Sequence, residues 1–149
     1  MAGDRWSTWF WTAMNRTSGN EASKAYGFQA VELTDDHASA RWSPRREVIT
    51  QLPDAGDFVW GGAVGAALQS GAMFGAVVVL ADDEFPMTLQ EDHRFFRPVS
   101  FDETYLLAGT PDRRTRSTIW TTTTIVAESS GQTVAAATSV NQVIEQNQH

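Results

Sequence analysis

The chain has 149 residues, 42% of them hydrophobic and 19% charged, and no cysteine. That describes one folded domain around a single core, and it excludes thiol catalysis, thiolate zinc sites and iron–sulfur clusters. Eighteen acidic residues against eleven basic ones give a formal charge of −7, a field that repels phosphate backbones and argues against nucleic acid as a partner.

At the N-terminus, Asp4 and Arg5 precede Trp6, Trp9, Phe10 and Trp11. This is not the basic-then-apolar pattern of a secretory signal, and the expected compartment is the cytoplasm. Residues 6–15 are predicted as a short amphipathic helix with Ser7 as a candidate cap, inside an N-terminal extension spanning 1–25. Apolar runs over 26–33 and 38–42, with Thr34-Asp35-Asp36 between them, predict a hairpin. Pro44, Pro53 and Gly56 then mark an irregular crossing.

Residues 58–81 are apolar except for Gln69 and Ser70. Asp54 and Asp57 lie on one flank and Asp82, Asp83 and Glu84 on the other, with no Lys or Arg between Arg46 and Arg94. Such flanks do not anchor a membrane span, so a helix from Gly61 to about Leu80 is expected at the buried centre of the domain. Each of its glycines, Gly61, Gly62, Gly65, Gly71 and Gly75, costs roughly 1 kcal/mol relative to alanine. Close approach of surrounding backbone is the gain that offsets this.

After Pro86 the composition turns to strand, over 87–96, 104–109, 116–127 and 133–143; the stretch 117–126 is β-branched almost throughout. Turns are expected at 98–102, 111–114 and 129–131, joining the four strands as an antiparallel meander. No internal repeat or linker divides the chain, and residues 145–149 are expected to fray.

Hairpin, long Gly-rich helix and antiparallel strands follow the element order of the α+β hotdog fold, a central helix wrapped by a curved sheet. The chain resembles that superfamily, and within it the acyl-coenzyme A thioesterases. The resemblance is carried by Phe58-Val59-Trp60-Gly61-Gly62-Ala63, similar to the turn that opens the central helix, and by Arg94-Phe95-Phe96-Arg97-Pro98-Val99, similar to a Phe-Leu-Arg-Pro segment. Arg113-Arg114-Thr115-Arg116-Ser117 and Gly131-Gln132-Thr133-Val134 extend it, so that it covers about residues 26–144. The aromatic residue before the double glycine resembles acyl-CoA thioesterase II, whose members fuse two hotdogs. This chain holds one, which implies pairing with a second copy as a dimer or a dimer of dimers.

Thioester hydrolysis needs a polarised carbonyl, an activated water and a place for an anionic coenzyme. The resemblance implies that the Gly61 and Gly62 amides face the thioester oxygen; the alternative is that both glycines merely permit a tight turn. The helix position where many relatives carry a carboxylate is Gln69, which either holds a water or satisfies a neighbouring backbone group. Asp54 and Asp57, in the loop before the helix, are candidate bases; capping by Asp57, or solvation of both, is the alternative. Gln90, Asp92 and Arg94 share one face of their strand and Glu91, His93 and Phe95 the other, so Glu91 or Asp92 can supply a carboxylate across the expected dimer.

Trp60, Met73, Phe74 and Phe95 are expected to line the acyl group, His93 is a further substrate-binding candidate, and Arg113, Arg114, Arg116 and Ser117 are expected at the coenzyme phosphates, unless that turn is simply a charged one. The expected activity is hydrolysis of a medium-chain or aromatic acyl-CoA, with coenzyme A entering only as part of the substrate and with no metal. A non-catalytic acyl-CoA binder is the alternative. A hydratase ranks behind both, because His37, His93 and His149 have no acidic partner apparent in the sequence and share no metal-ligand spacing.

Overall fold

The structure is a computed structural model that describes residues 1–13, 27–46 and 56–146. Asp54, most of the irregular crossing and the latter half of the N-terminal extension lie outside the described residues.

Helix α1 (Asp4–Ala13) is followed by the hairpin β1 (Phe28–Leu33) and β2 (Ala38–Trp42), the short strand β3 (Phe58–Val59) and the central helix α2 (Gly61–Val77). Then come β4 (Glu84–Phe95), β5 (Val99–Ser100), β6 (Tyr105–Arg114), β7 (Thr118–Ala127) and β8 (Thr133–Glu145). Six strands form one antiparallel sheet in the order β1-β2-β6-β7-β8-β4, and β3 pairs with β5 in a separate ribbon.

Two expectations about the strands are corrected. Only β6, β7 and β8 form a meander; β4 pairs with β8 and becomes the far edge, while β6 pairs with β2. Residues 111–114 continue β6 instead of turning, and a register shift between Pro111 and Arg113 accommodates the proline's missing donor. Helix α1 starts at Asp4, so Ser7 lies inside its first turn, donating its amide to Gly3, and does not cap it.

Helix α2 packs against β2, β6, β7, β8 and β4, so the sheet wraps it. The glycines explain the closeness. Gly65, Gly71 and Gly75 meet His93, Thr123 and Thr121 respectively, and Gly109 of β6 abuts the backbone of Gly71 and Gly75. Across the remaining surface, Trp42, Tyr105, Phe74, Leu68, Leu107, Ile119 and Ile125 fill the core. Helix α1 closes one end: Phe10 stacks edge-on against Phe74, and the Trp6 indole donates to the Ala81 and Glu84 carbonyls.

Candidate active site

The β3/β5 ribbon fixes where α2 begins. Val59 pairs with Val99 and Phe58 with Ser100, whose amide donates to the Tyr105 hydroxyl at 2.7 Å. The next residue, Trp60, is the N-cap, with φ −71° and ψ 154° and no side chain capping it. Ala63 and Val64 both donate to the Trp60 carbonyl. Among the described residues this leaves the Gly61 and Gly62 amides without an acceptor, at the positive end of the helix dipole. The two glycines differ. The Trp60 indole lies over Gly62, where a Cβ would stand 2.5 Å from the ring, whereas nothing lies within 4 Å of a Cβ on Gly61.

Gly61 lines a cleft of about 310 Å³ with Val59, Val64 and the segment Phe95, Phe96, Arg97, Pro98 and Val99. One helical turn apart along α2, Gly61, Gly65, Gln69 and Met73 form a stripe. Gln69 and Met73 line a second cleft, of about 520 Å³, against Pro86, Met87 and Thr88. The first cleft lies between the start of α2 and the segment that follows β4, the second between α2 and the first half of β4.

The Gly65 step of the stripe is occupied by His93, whose Nδ1 is 3.0 Å from where a Gly65 Cβ would stand. A register shift between Thr88 and Gln90 sets the facing of this half of β4. Thr88 lies opposite buried Asn141 before the shift, and Glu91, His93 and Phe95 lie opposite buried Ser139, Ala137 and Ala135 after it. Asp92 and Arg94 therefore take the other face, and of the two strand carboxylates only Glu91 approaches the helix. Glu91 Oε1 meets His93 Nε2 at 2.5 Å; the Glu91 side chain is only 9% exposed, and its Oε2 is buried without a partner. Burial pushes the Glu91 carboxyl up, against the opposing pull of the His93 ring. His93, for which no acidic pairing was expected, thus pairs with the carboxylate two residues before it on the same strand face.

The Asp57 carboxylate is held by Arg46 at 2.7 Å on the surface and does not cap α2. Phe74 is fully buried against Phe10 and Phe28, a core residue and not part of either cleft. Arg113 stacks over Trp120, 4.9 Å from its centroid. Arg114 donates to the Val79 carbonyl and to Glu84, tying β6 to the end of α2. Arg116 and Ser117 are exposed in the same turn. This turn and Gly61 stand at opposite ends of a helix about 24 Å long. The arginine that the fold brings to the lining of the Gly61 cleft is Arg97, in the Phe-Phe-Arg-Pro run and not among the expected phosphate ligands.

Neither a protein-family model nor a curated protein sequence matches the chain. Solved structures do. A thioesterase family protein from Silicibacter pomeroyi aligns with a TM-score of 0.77 at 17% identity, covering 94% of this chain and 98% of its own. A thioesterase from Haemophilus influenzae aligns with a TM-score of 0.74 at 20% identity, over 91% of both chains. A hypothetical thioesterase from Streptococcus pneumoniae, solved with coenzyme A, aligns with a TM-score of 0.67 at 17% identity, covering 84% of this chain and 92% of its own. The fold is the hotdog fold. No helix among the described residues is long and apolar enough to cross a membrane.

Proposed function

We propose that the chain is an acyl-CoA thioester hydrolase built from two copies joined along β4. The observation that carries this reading is the open start of α2: unpaired amides at the positive end of a helix, beside a cleft rimmed by exposed Phe95 and Phe96. A thioester oxygen placed there accepts the Gly61 amide as charge develops on it, and the apolar rim suits a medium-chain or aromatic acyl group.

Pairing is supported by β4 itself, a twelve-residue edge strand whose Met87 and Leu89 are 44% and 60% exposed. Edges of this kind are normally covered. A two-fold axis near the middle of β4 gives an antiparallel junction. The Phe95 end of one strand then lies beside the Glu84 end of the other, and the Gly61 cleft of one copy beside the Arg116 turn of the second. Arg116 and Ser117 there, with Arg97 from the cleft's own chain, offer donors to the coenzyme phosphates.

The test is release of free thiol from acetyl-, octanoyl- and benzoyl-CoA by the purified protein. Hydrolysis of octanoyl- or benzoyl-CoA supports the reading; binding without release selects a non-catalytic acyl-CoA binder, which the absence of any ionisable side chain on α2 favours. The Glu91–His93 pair favours a hydratase as the other reading, selected by loss of the enoyl absorbance of crotonyl-CoA without thiol release.

A further inference from the structure

Helix α2 carries no ionisable side chain. The residues of β7 and β8 buried beneath it, among them Thr121, Thr123, Ala137 and Ser139, are also uncharged. Glu91 and His93 are therefore the ionisable pair that the described structure sets against the N-terminal half of the helix. Their placement is specific: without the register shift between Thr88 and Gln90, period two would carry Gln90 and Asp92 to the helix side and turn Glu91 and His93 outward. Gly65 then supplies the room, because a Cβ there would press on His93 Cε1 at 2.9 Å. A buried carboxylate with one oxygen lacking a partner is costly as a purely structural element. The ring it holds stands at Gly65, between Gly61 and Gln69 on one helical stripe, a position that suits chemistry.

We propose that His93, packed against Gly65 one helical turn beyond Gly61, is the base that activates water for a thioester held at the Gly61 amide and that Glu91 is its positioning residue, an assignment that rests on the thioesterase reading. With Nε2–H donating to Glu91 Oε1, Nδ1 is left as the acceptor on the side of the helix. The water oxygen bonds to the thioester carbonyl carbon while Nδ1 takes the water proton, and the carbonyl oxygen becomes an oxyanion facing Gly61. The carbon–sulfur bond then breaks, and the imidazolium returns its proton to the coenzyme sulfur, giving free acid and free thiol. Glu91 fixes the tautomer and stabilises the imidazolium, as carboxylates paired to catalytic histidines do.

The experiment compares the wild type with His93→Gln, His93→Ala, Glu91→Gln and Glu91→Asp, using octanoyl-CoA and benzoyl-CoA with thiol release as the readout. Circular dichroism and the thermal midpoint establish folding, and the near-isosteric His93→Gln serves if the alanine variant unfolds. Expected are a fall in kcat of about 10²- to 10⁴-fold for both His93 variants with KM little changed, and partial rescue of His93→Ala by added imidazole. Glu91→Gln should lower kcat about tenfold with KM little changed, and Glu91→Asp, which keeps the carboxylate, should recover part of that loss. Wild-type hydrolysis that persists undiminished in folded His93 variants overturns this assignment and leaves the thioesterase reading standing. A wild type that releases no thiol from either probe overturns both.

Discussion

A Cβ on Gly109 of β6 would overlap the carbonyl oxygen of Gly71 in α2 and stand 2.6 Å from the Gly75 amide nitrogen. Strand and helix meet backbone to backbone at this point, and neither side has a flexible side chain that can give way. Gly109→Ala is expected to destabilise the fold by about 3 kcal/mol or more, at the upper end of overpacking costs. Chemical denaturation should report a lower midpoint with an unchanged m-value. A variant as stable as the wild type would mean that the sheet does not grip the helix this closely.

The C-terminal end of the helix is also tied electrostatically. Glu84 Oε1 accepts from the Ala81 amide at 2.8 Å, and its second oxygen meets Arg114. The Arg114 guanidinium, bonded to the Glu84 carboxylate, holds its pKa below the ordinary carboxylate range, against the opposing effect of burial. A lowered folded-state pKa contributes stability that is present above the unfolded value and lost as pH falls through the folded one. Glu84→Gln should therefore cost about 1–3 kcal/mol at neutral pH and progressively less in acid. Denaturation curves across that range check it; a constant difference would contradict the pairing.

Glu91 has the opposite sign. Its carboxyl is pushed up by burial, so its contribution is greatest below the unfolded pKa and is lost as pH rises through the folded one. Glu91→Gln is expected to leave stability nearly unchanged in acid and to raise the thermal midpoint relative to wild type at neutral pH. A neutral-pH loss as large as that of Glu84→Gln would mean that the carboxylate is fully paired in solution.

The free edge of β4 makes a statement about mass. Sedimentation should give a multiple of the 16.4 kDa chain, and Leu89→Arg, which places a charge at the register shift on that edge, should move the population toward monomer and reduce activity with it. A monomer with full activity would separate the site from any second copy.

Much of this architecture was legible in local pattern. The β-branched run of β7 admits no helix, and the glycine spacing of α2 announces a backbone-close neighbour. What local pattern does not carry is which strands pair across the chain. Consecutive in sequence, β4 and β6 look like neighbours, whereas the β3/β5 ribbon takes up the connection and β4 pairs with β8. The same limit applies to the site. Phe74 looks like cleft lining until Phe10 and Phe28 cover it, and Arg114 looks like a phosphate ligand until Glu84 and Val79 occupy it. Most consequential is the register shift after Thr88, which no glycine or proline marks and which alone decides that Glu91 and His93 face the helix. Period two correctly grouped Glu91, His93 and Phe95 on one face but could not say which way that face points.

The central claim is that the Gly61 amide polarises the substrate carbonyl, and it can be tested by removing that one hydrogen. Gly61 is the first residue of α2, a position that accepts proline, and Trp60 already has the extended backbone that proline demands of its predecessor. A side chain at Gly61 meets open space, so Gly61→Pro should fold, while Gly61→Ala adds a methyl and keeps the donor. The measurement is kcat for octanoyl-CoA hydrolysis by these two variants. The account predicts that Gly61→Pro falls roughly 10²- to 10³-fold below Gly61→Ala at equal thermal midpoint, and equal kcat values in two folded variants would contradict it.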